Sequence, residues 1–237
     1  MILESTSQPV VTSLAVAPPT GLQPIRTVEI GEYCSSVAHG RGGEVYVGTN
    51  TGVKLIIDNG SLRNITSMKT CVNSVCVSGN IICTLGPKPS GLWSVTVYNN
   101  INYQRIHSWE RELHVGAKMA LRGDSVVICE GKRVTEHSLD GRSKRRALFQ
   151  AIQCVPKSIS AMSQSDDVIV IDKQLRVHRL SITTGCCVWT NDSLPKPIAV
   201  CCDETNRVFI AVRGEDNRVN FTVLDSERGK FILCPLF

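Results

Sequence analysis

The side chains able to do chemistry are numerous, but their spacing argues against most local sites. Eleven cysteines stand at positions 34, 71, 76, 83, 129, 154, 186, 187, 201, 202 and 234. None forms a Cys-x-x-Cys pair and no histidine clusters beside them, which disfavours a sequence-local zinc module. Cys76, Cys83, Cys129 and Cys201 lie in apolar runs, where a free thiol behaves as a small hydrophobe, so these are expected to be buried and reduced. His39, His107, His114, His137 and His178 never pair at ligand spacing, and there is no Gly-x-Ser-x-Gly nucleophile motif. Asp124, Asp166, Asp167, Asp172 and Asp203 could converge on a metal only if distant segments met; turn chemistry accounts for them more simply. The densest charge feature is Lys132, Arg133, Arg142, Lys144, Arg145 and Arg146. If strand pairing brings Lys132 and Arg133 near Arg145 and Arg146, the group could neutralise nucleic-acid phosphates. On the outer edge of a sheet the same residues would instead discourage strand addition, and Phe149 is the only ring nearby to stack a base. Trp93, Trp109 and Trp189 are expected to pack rather than to anchor a ligand.

Those residues have to be positioned by β-structure. The 237 residues are 42% hydrophobic and 20% charged but only 5% aromatic, with 18 Gly and 10 Pro, the composition of a folded chain with many turns. No apolar stretch approaches the roughly 18 residues needed to cross a bilayer, so no membrane association is expected. The formal charge of +5 is only weak support for an acidic partner. Residues 1–24 are rich in Ser, Thr and Pro and nearly uncharged, which reads as a flexible leader or linker. Glu4 is the only charge before Arg26, so an export signal lacks its basic start; Ala15-Val16-Ala17 does mimic a cleavage site, and Asn64, Asn191 and Asn220 sit in glycosylation triplets that matter only on that route. Cytoplasmic residence with reduced thiols is the simpler expectation.

From residue 25 onward a short β-branched run recurs, starting at Val45, Ile81, Val126, Val168 and Val208. The spacing, near 40 residues, is a propeller-type period. Each run is preceded by a shorter strand (Ser35 to His39, Asn73 to Val77, Ala117 to Leu121, Ser158 to Met162, Pro197 to Cys201) and a turn of Gly, Asn or Asp, which tolerate the backbone of tight hairpins. An alternating third strand and a more polar fourth follow. The units run over about 31–66, 69–110, 113–150, 153–191 and 194–237, and no helical period competes. The continuous apolar second strands fit sheets covered on both faces. The fold class is therefore all-β: a β-propeller of about five four-stranded antiparallel blades spanning residues 25–237.

Gly43-Glu44-Val45-Tyr46-Val47-Gly48, Ser138-Leu139-Asp140-Gly141-Arg142 and Ile198 through Ile210 resemble NHL repeats, which form the C-terminal propeller of tripartite-motif (TRIM-NHL) proteins. Val188-Trp189 equally resembles repeats of the WD type. The first copy departs from the NHL pattern by carrying Gly48-Thr49-Asn50 where an Asp is usual. The resemblance implies six blades where five are counted, so the alternative is an NHL-type propeller lacking one blade. The strand Arg26 to Ile30 would then belong to the missing blade, and open terminal faces would favour self-association. It also implies a recognition platform for protein or RNA, with ubiquitin transfer residing in a RING that this sequence does not encode. The expected function is a non-catalytic protein-interaction scaffold needing no cofactor or metal. An RNA-binding module and a metal-dependent propeller hydrolase or lactonase are the alternatives, the last requiring acidic side chains from several blades to converge on the central channel.

Overall fold

Short runs of β-branched residues separated by two- to five-residue turns can pair only with their immediate neighbours, and the chain folds as a series of antiparallel meanders. The computed structural model describes residues 10–15, 23–40, 43–57, 61–67, 71–152, 155–215 and 219–233. Strand β1 (Val10–Ala15) pairs with β2 (Gln23–Glu29) as a two-stranded hairpin. Blade 1 is β3 (Cys34–His39), β4 (Val45–Thr49), β5 (Gly52–Ile56) and β6 (Leu62–Ser67). Blade 2 is β7 (Ser74–Ser78), β8 (Ile81–Pro87), β9 (Trp93–Asn99) and β10 (Arg105–Arg111). Blade 3 is β11 (Lys118–Arg122), β12 (Ser125–Glu130), β13 (Arg133–Ser138) and β14 (Ser143–Leu148). Blade 4 is β15 (Pro156–Ala161), β16 (Asp167–Asp172), β17 (Val177–Ser181) and β18 (Cys186–Asn191). Blade 5 is β19 (Pro197–Cys202), β20 (Val208–Arg213), β21 (Val219–Leu224) and β22 (Phe231–Leu233). Each sheet is hydrogen-bonded in sequence order, first strand innermost, giving a five-bladed β-propeller.

The second strands are buried along almost their whole length, β12 and β16 completely, because each is covered from both sides. Alternate residues serve alternate interfaces. In β12, Val126 and Ile128 pack against blade 2 while Val127 and Cys129 pack against blade 4. The fourth strands β10 and β14 are largely exposed. Trp93 is core; Trp109 and Trp189 are partly buried between blades.

Two expectations change. Residues 10–15, inside the stretch read as a leader, form a strand: Val10, Val11 and Thr12 are β-branched residues that pair with Glu29, Val28 and Thr27. The strand at Arg26 to Ile30 belongs to that hairpin. Its Val28 and the following Ile30 are buried against Val47 and Ile56, on the face of blade 1 turned away from blade 2.

Three of the four interfaces from blade 1 to blade 5 share a construction at the inner strands; between blades 3 and 4, Lys118 stands at the register position that a serine holds elsewhere. Inner-strand serines receive the edge N–H groups of the next blade: Ser36 from Val75 at 2.9 Å, Ser74 from Met119 at 3.4 Å, Ser158 from Val200 at 3.1 Å and Ser160 from Cys202 at 3.0 Å. At the periphery, the fourth strand of each blade touches the third-to-fourth turn of the next. Arg63 lies over the Tyr103 ring, Trp109 donates to Leu139 O, Arg145 to Thr183 Oγ1 and Trp189 to Ser226 O. Between blades 5 and 1 the construction changes. No core cluster among the described residues spans that seam, and the close packing of successive inner strands is not repeated between β19 and β3. Val37 and His39 on blade 1, and Ala199 and Cys201 on blade 5, face the seam and are exposed. Cys201, expected to be buried, is exposed for this reason, while Cys76 is half-buried; Cys83 and Cys129 are buried as expected. None of the described cysteines is in a disulfide.

Candidate functional site

All inner strands of a propeller run in one direction, so each end of the molecule collects one kind of loop. The crossovers between blades and the turns from second to third strand share one end, here the crossover face. The two remaining hairpin turns of each blade share the other, the hairpin face. Both faces carry acids and bases, Glu32, Glu130 and Asp172 being at the crossover end, and the faces differ in which bases are paired. Asp124, Asp140, Asp166, Asp203, Asp225 and Glu227 all sit on the hairpin face, with partners at hand: Lys144 for Asp124, Arg142 for Asp140, Arg145 for Asp166, Arg207 for Asp203 and Arg179 for Glu227. The crossover face carries Lys118, Lys157, Lys173, Lys196 and Arg213, and none of these is ion-paired among the described residues.

The basic cluster singled out from sequence is taken apart by this geometry. Lys132 and Arg133 lie at the crossover end of blade 3, Arg142 and Lys144 at the hairpin end. Arg133 pairs in register with Leu148 and Arg145 with Glu136, so Arg145 faces blade 4 while Arg146, opposite Thr135, faces blade 2. Arg145 is held by Asp166 and reaches Glu136 at 3.6 Å, Arg122 bridges Glu136 at 2.7 Å, Arg133 meets Glu130 at 3.1 Å, and Lys132 bonds Gln150 at 3.2 Å. The hydrogen bond from Arg145, reinforced by Thr183, holds the Asp166 carboxyl below the usual range. Arg145 therefore ties blade 3 to blade 4 through a charged network.

The acids named as metal candidates are likewise dispersed. Asp124, Asp166, Asp167 and Asp203 are on the hairpin face and Asp172 is at the opposite end of β16. No group of three or more His, Cys, Asp or Glu suited to a metal occurs among the described residues.

Asp172 belongs to an arrangement the sequence did not announce. It is fully buried beside fully buried His178, with Nε2 to Oδ2 at 3.1 Å, and His178 Nδ1 meets Thr190 Oγ1 at 2.9 Å. Arg176 donates to Asp172 through Nη2 at 2.8 Å and Nε at 3.1 Å. Burial alone would raise the Asp172 pKa, but the bonds from the Arg176 backbone and side chain and from His178 lower it. Burial depresses that of His178 despite Asp172. The pair is thus carboxylate and neutral imidazole, with Nε2–H donating to Asp172 and Thr190 donating to Nδ1. This has the order of a nucleophile relay. It lies on the outer strands of blade 4, away from the channel, with Arg176 already satisfying the carboxylate, and it joins β16, β17 and β18 as a hydrogen-bond clamp.

The channel holds a cavity of about 580 Å³ lined by all five inner strands. Its wall includes Lys118 and Lys157 and, among the described residues, no Asp or Glu and no Phe, Tyr or Trp. Lys118 reaches back to blade 2, donating to Asn73 O at 3.2 Å, and Lys157 reaches forward to blade 5, donating to Pro197 O at 3.2 Å. Burial lowers the pKa of both, and Arg213 adds to the effect on Lys157. The two amines were missed in sequence because each is a single residue at the start of an inner strand. The available signal was positional: at the register point where the other described blades carry Ser36, Ser74, Ser158 and Ala199, the third carries Lys118.

No protein-family model matches the sequence, and no curated protein matches it either. Among solved structures, a protein of unknown function from Bacteroides caccae is similar in fold, with a TM-score of 0.69 at 13% sequence identity, covering 96% of this chain and 92% of that one. That likeness supports the propeller and leaves the NHL resemblance without support at the level of the family.

Proposed function

We propose that this propeller is a non-catalytic protein-interaction module that meets its partner on the crossover face. What supports this is the surface found there. Tyr33 and Val115, exposed to 67% and 85%, stand in crossovers at the same end as lysines that are not ion-paired among the described residues. Exposed apolar anchors within a charged rim are the composition of a protein-binding surface. The RNA reading has no comparable observation, since the basic cluster is divided between faces and largely paired. The hydrolase reading required carboxylates on the channel wall, and the lining residues include none. A ubiquitin-pathway partner rests on the resemblance alone.

The test is site-specific photo-crosslinking in cell extract from positions 33 and 115, with position 101 on the hairpin face, where Ile101 is 73% exposed, as the comparison. A discrete protein adduct from the crossover positions, unaffected by ribonuclease, is the expected result. Adducts confined to position 101, or lost on ribonuclease treatment, would reject it.

A further inference from the structure

We infer that the channel mouth on the crossover face is a carboxylate-binding site, framed by Lys118 and Lys157 and occupied by an acidic peptide segment of the partner. The inference rests on the protein-binding reading above and names the chemistry by which that partner would be held.

Charge at the channel mouth is uncompensated among the described residues. Two half-buried ammonium groups face one cavity whose wall supplies no anion. Among the described residues each has one partner, a main-chain carbonyl, so each ammonium retains further donors. A buried cation without a counter-ion is costly to keep, and the depressed pKa of both lysines registers that cost. An anion entering the mouth would complete both shells and favour the charged form of both amines.

The surroundings point to the kind of anion. Lys118 and Lys157 start the inner strands of adjacent blades 3 and 4 and reach in opposite directions, to blade 2 and to blade 5, so that their charges frame the opening instead of converging on one point. Successive carboxylates along a chain match two separated cations better than one compact ion does. Lys196 and Arg213, joined through the Arg213 N–H to Lys196 O bond at 3.1 Å, extend the positive field outward on the blade 5 side. The wall offers Ser35, Ser36, Ser158 and Ser160 but no Phe, Tyr or Trp on which a base could stack, and no Arg fork for a phosphate. Both omissions favour carboxylate over nucleotide.

The probe is a fluorescein-labelled hexaglutamate peptide, titrated by anisotropy into the full chain at low and moderate salt, against a labelled hexauridylate and a labelled hexaserine peptide. Hexaglutamate should bind with a salt-dependent affinity, hexaserine should not, and Lys118→Gln with Lys157→Gln should weaken hexaglutamate about tenfold or more. Because those substitutions touch the inner strands, a second readout uses the unaltered protein. Reductive methylation followed by mass spectrometry should show Lys118 and Lys157 protected by hexaglutamate while exposed Lys144 is not. Equal or tighter binding of hexauridylate, or unprotected lysines at saturating peptide, overturns the inference. If crosslinks from positions 33 and 115 still capture a partner when hexaglutamate does not bind, the interaction module stands and only the carboxylate site falls.

Discussion

His178 and His137 are the residues whose chemistry is most altered by the fold. Both have pKa values below the ordinary 6.5, His178 chiefly through burial and His137 through burial reinforced by Arg111, whose Nη1 lies 2.7 Å from its Nε2. A depressed folded-state value means that the unfolded chain takes up protons first as pH falls below 6.5, so stability is complete above that point and declines beneath it, by at most about 1.4 kcal/mol per pH unit per histidine. Asp172 acts in the same direction lower down: its folded value is below the ordinary 3.8, so its contribution is present above 3.8 and lost below. Urea midpoints should therefore fall between pH 7.5 and 5.5, with a further loss below pH 4, and His178→Gln should reduce the first step. A flat profile from 7.5 to 5.5 would show that the histidines titrate normally. Asp172→Ala should cost about 3–5 kcal/mol at pH 7, because it strands Arg176 and His178 without the carboxylate that both address. The thiols show the fold's opposite effect: burial pushes Cys76 and Cys202 up to about 12, leaving them protonated and unreactive near neutrality.

At the scale of elements, the outer latches decide how tightly blades lock. Gly141 and Gly229 occupy the third-to-fourth turns of blades 3 and 5 with φ of +90° and +63°. A Cβ at either would lie 2.6 Å from Trp109 or 2.7 Å from Trp189. Gly185, at the equivalent turn of blade 4, has φ of +71° but open space, because Arg145 and not a Trp reaches that turn. Alanine at 185 should cost only the left-handed backbone strain of about 1 kcal/mol. At 141 and 229 the displaced indole should add about 1–3 kcal/mol more. Thermal melts of the three variants check the order, and equal losses would mean that the tryptophans do not depend on the glycines. The turn sequences Asp140-Gly141 and Thr184-Gly185 look alike as sequence. What distinguishes them is the residue arriving from the previous blade, about 30 to 40 positions away.

For the whole molecule, the decisive feature is the seam between blades 5 and 1. A propeller is a chain of repeated interfaces, and the one that differs governs where it opens. What sets the seam apart is that β19 and β3 lack the close packing of the other successive inner strands; the register position that would serve Val37 also holds Ala199, so no serine clasp forms there, as none forms between blades 3 and 4, where Lys118 takes the serine's place. Part of blade 1's free face is covered by Val28 and Ile30. Amide hydrogen exchange should accordingly be fastest in β3 and β19 and slowest in β12 and β16. Uniform protection across the inner strands would indicate that the ring is sealed in solution. Ile30→Ala should destabilise by about 2–5 kcal/mol, the usual range for a buried aliphatic, with the faster exchange confined to blade 1.

The division into blades is written in the local pattern of the chain. Strand positions, turn positions and the buried second strands were legible to within a few residues, because pleated alternation and Gly, Asn or Asp turns are local properties and five repeats confirm one another. It also showed the polar fourth strands, where Arg145 and Arg146 are in fact exposed. Only the tertiary structure decided what those residues face. Adjacent side chains on a strand point to opposite sheet faces, so Arg145 and Arg146 meet different blades, and a cluster in sequence is dispersed in space. Conversely, Lys118 and Lys157, 39 positions apart in the chain, come to one cavity because the inner strands of blades 3 and 4 pack side by side along the channel. Neither the channel's charge nor the altered seam has a local signature, since both depend on which strand arrives from another blade.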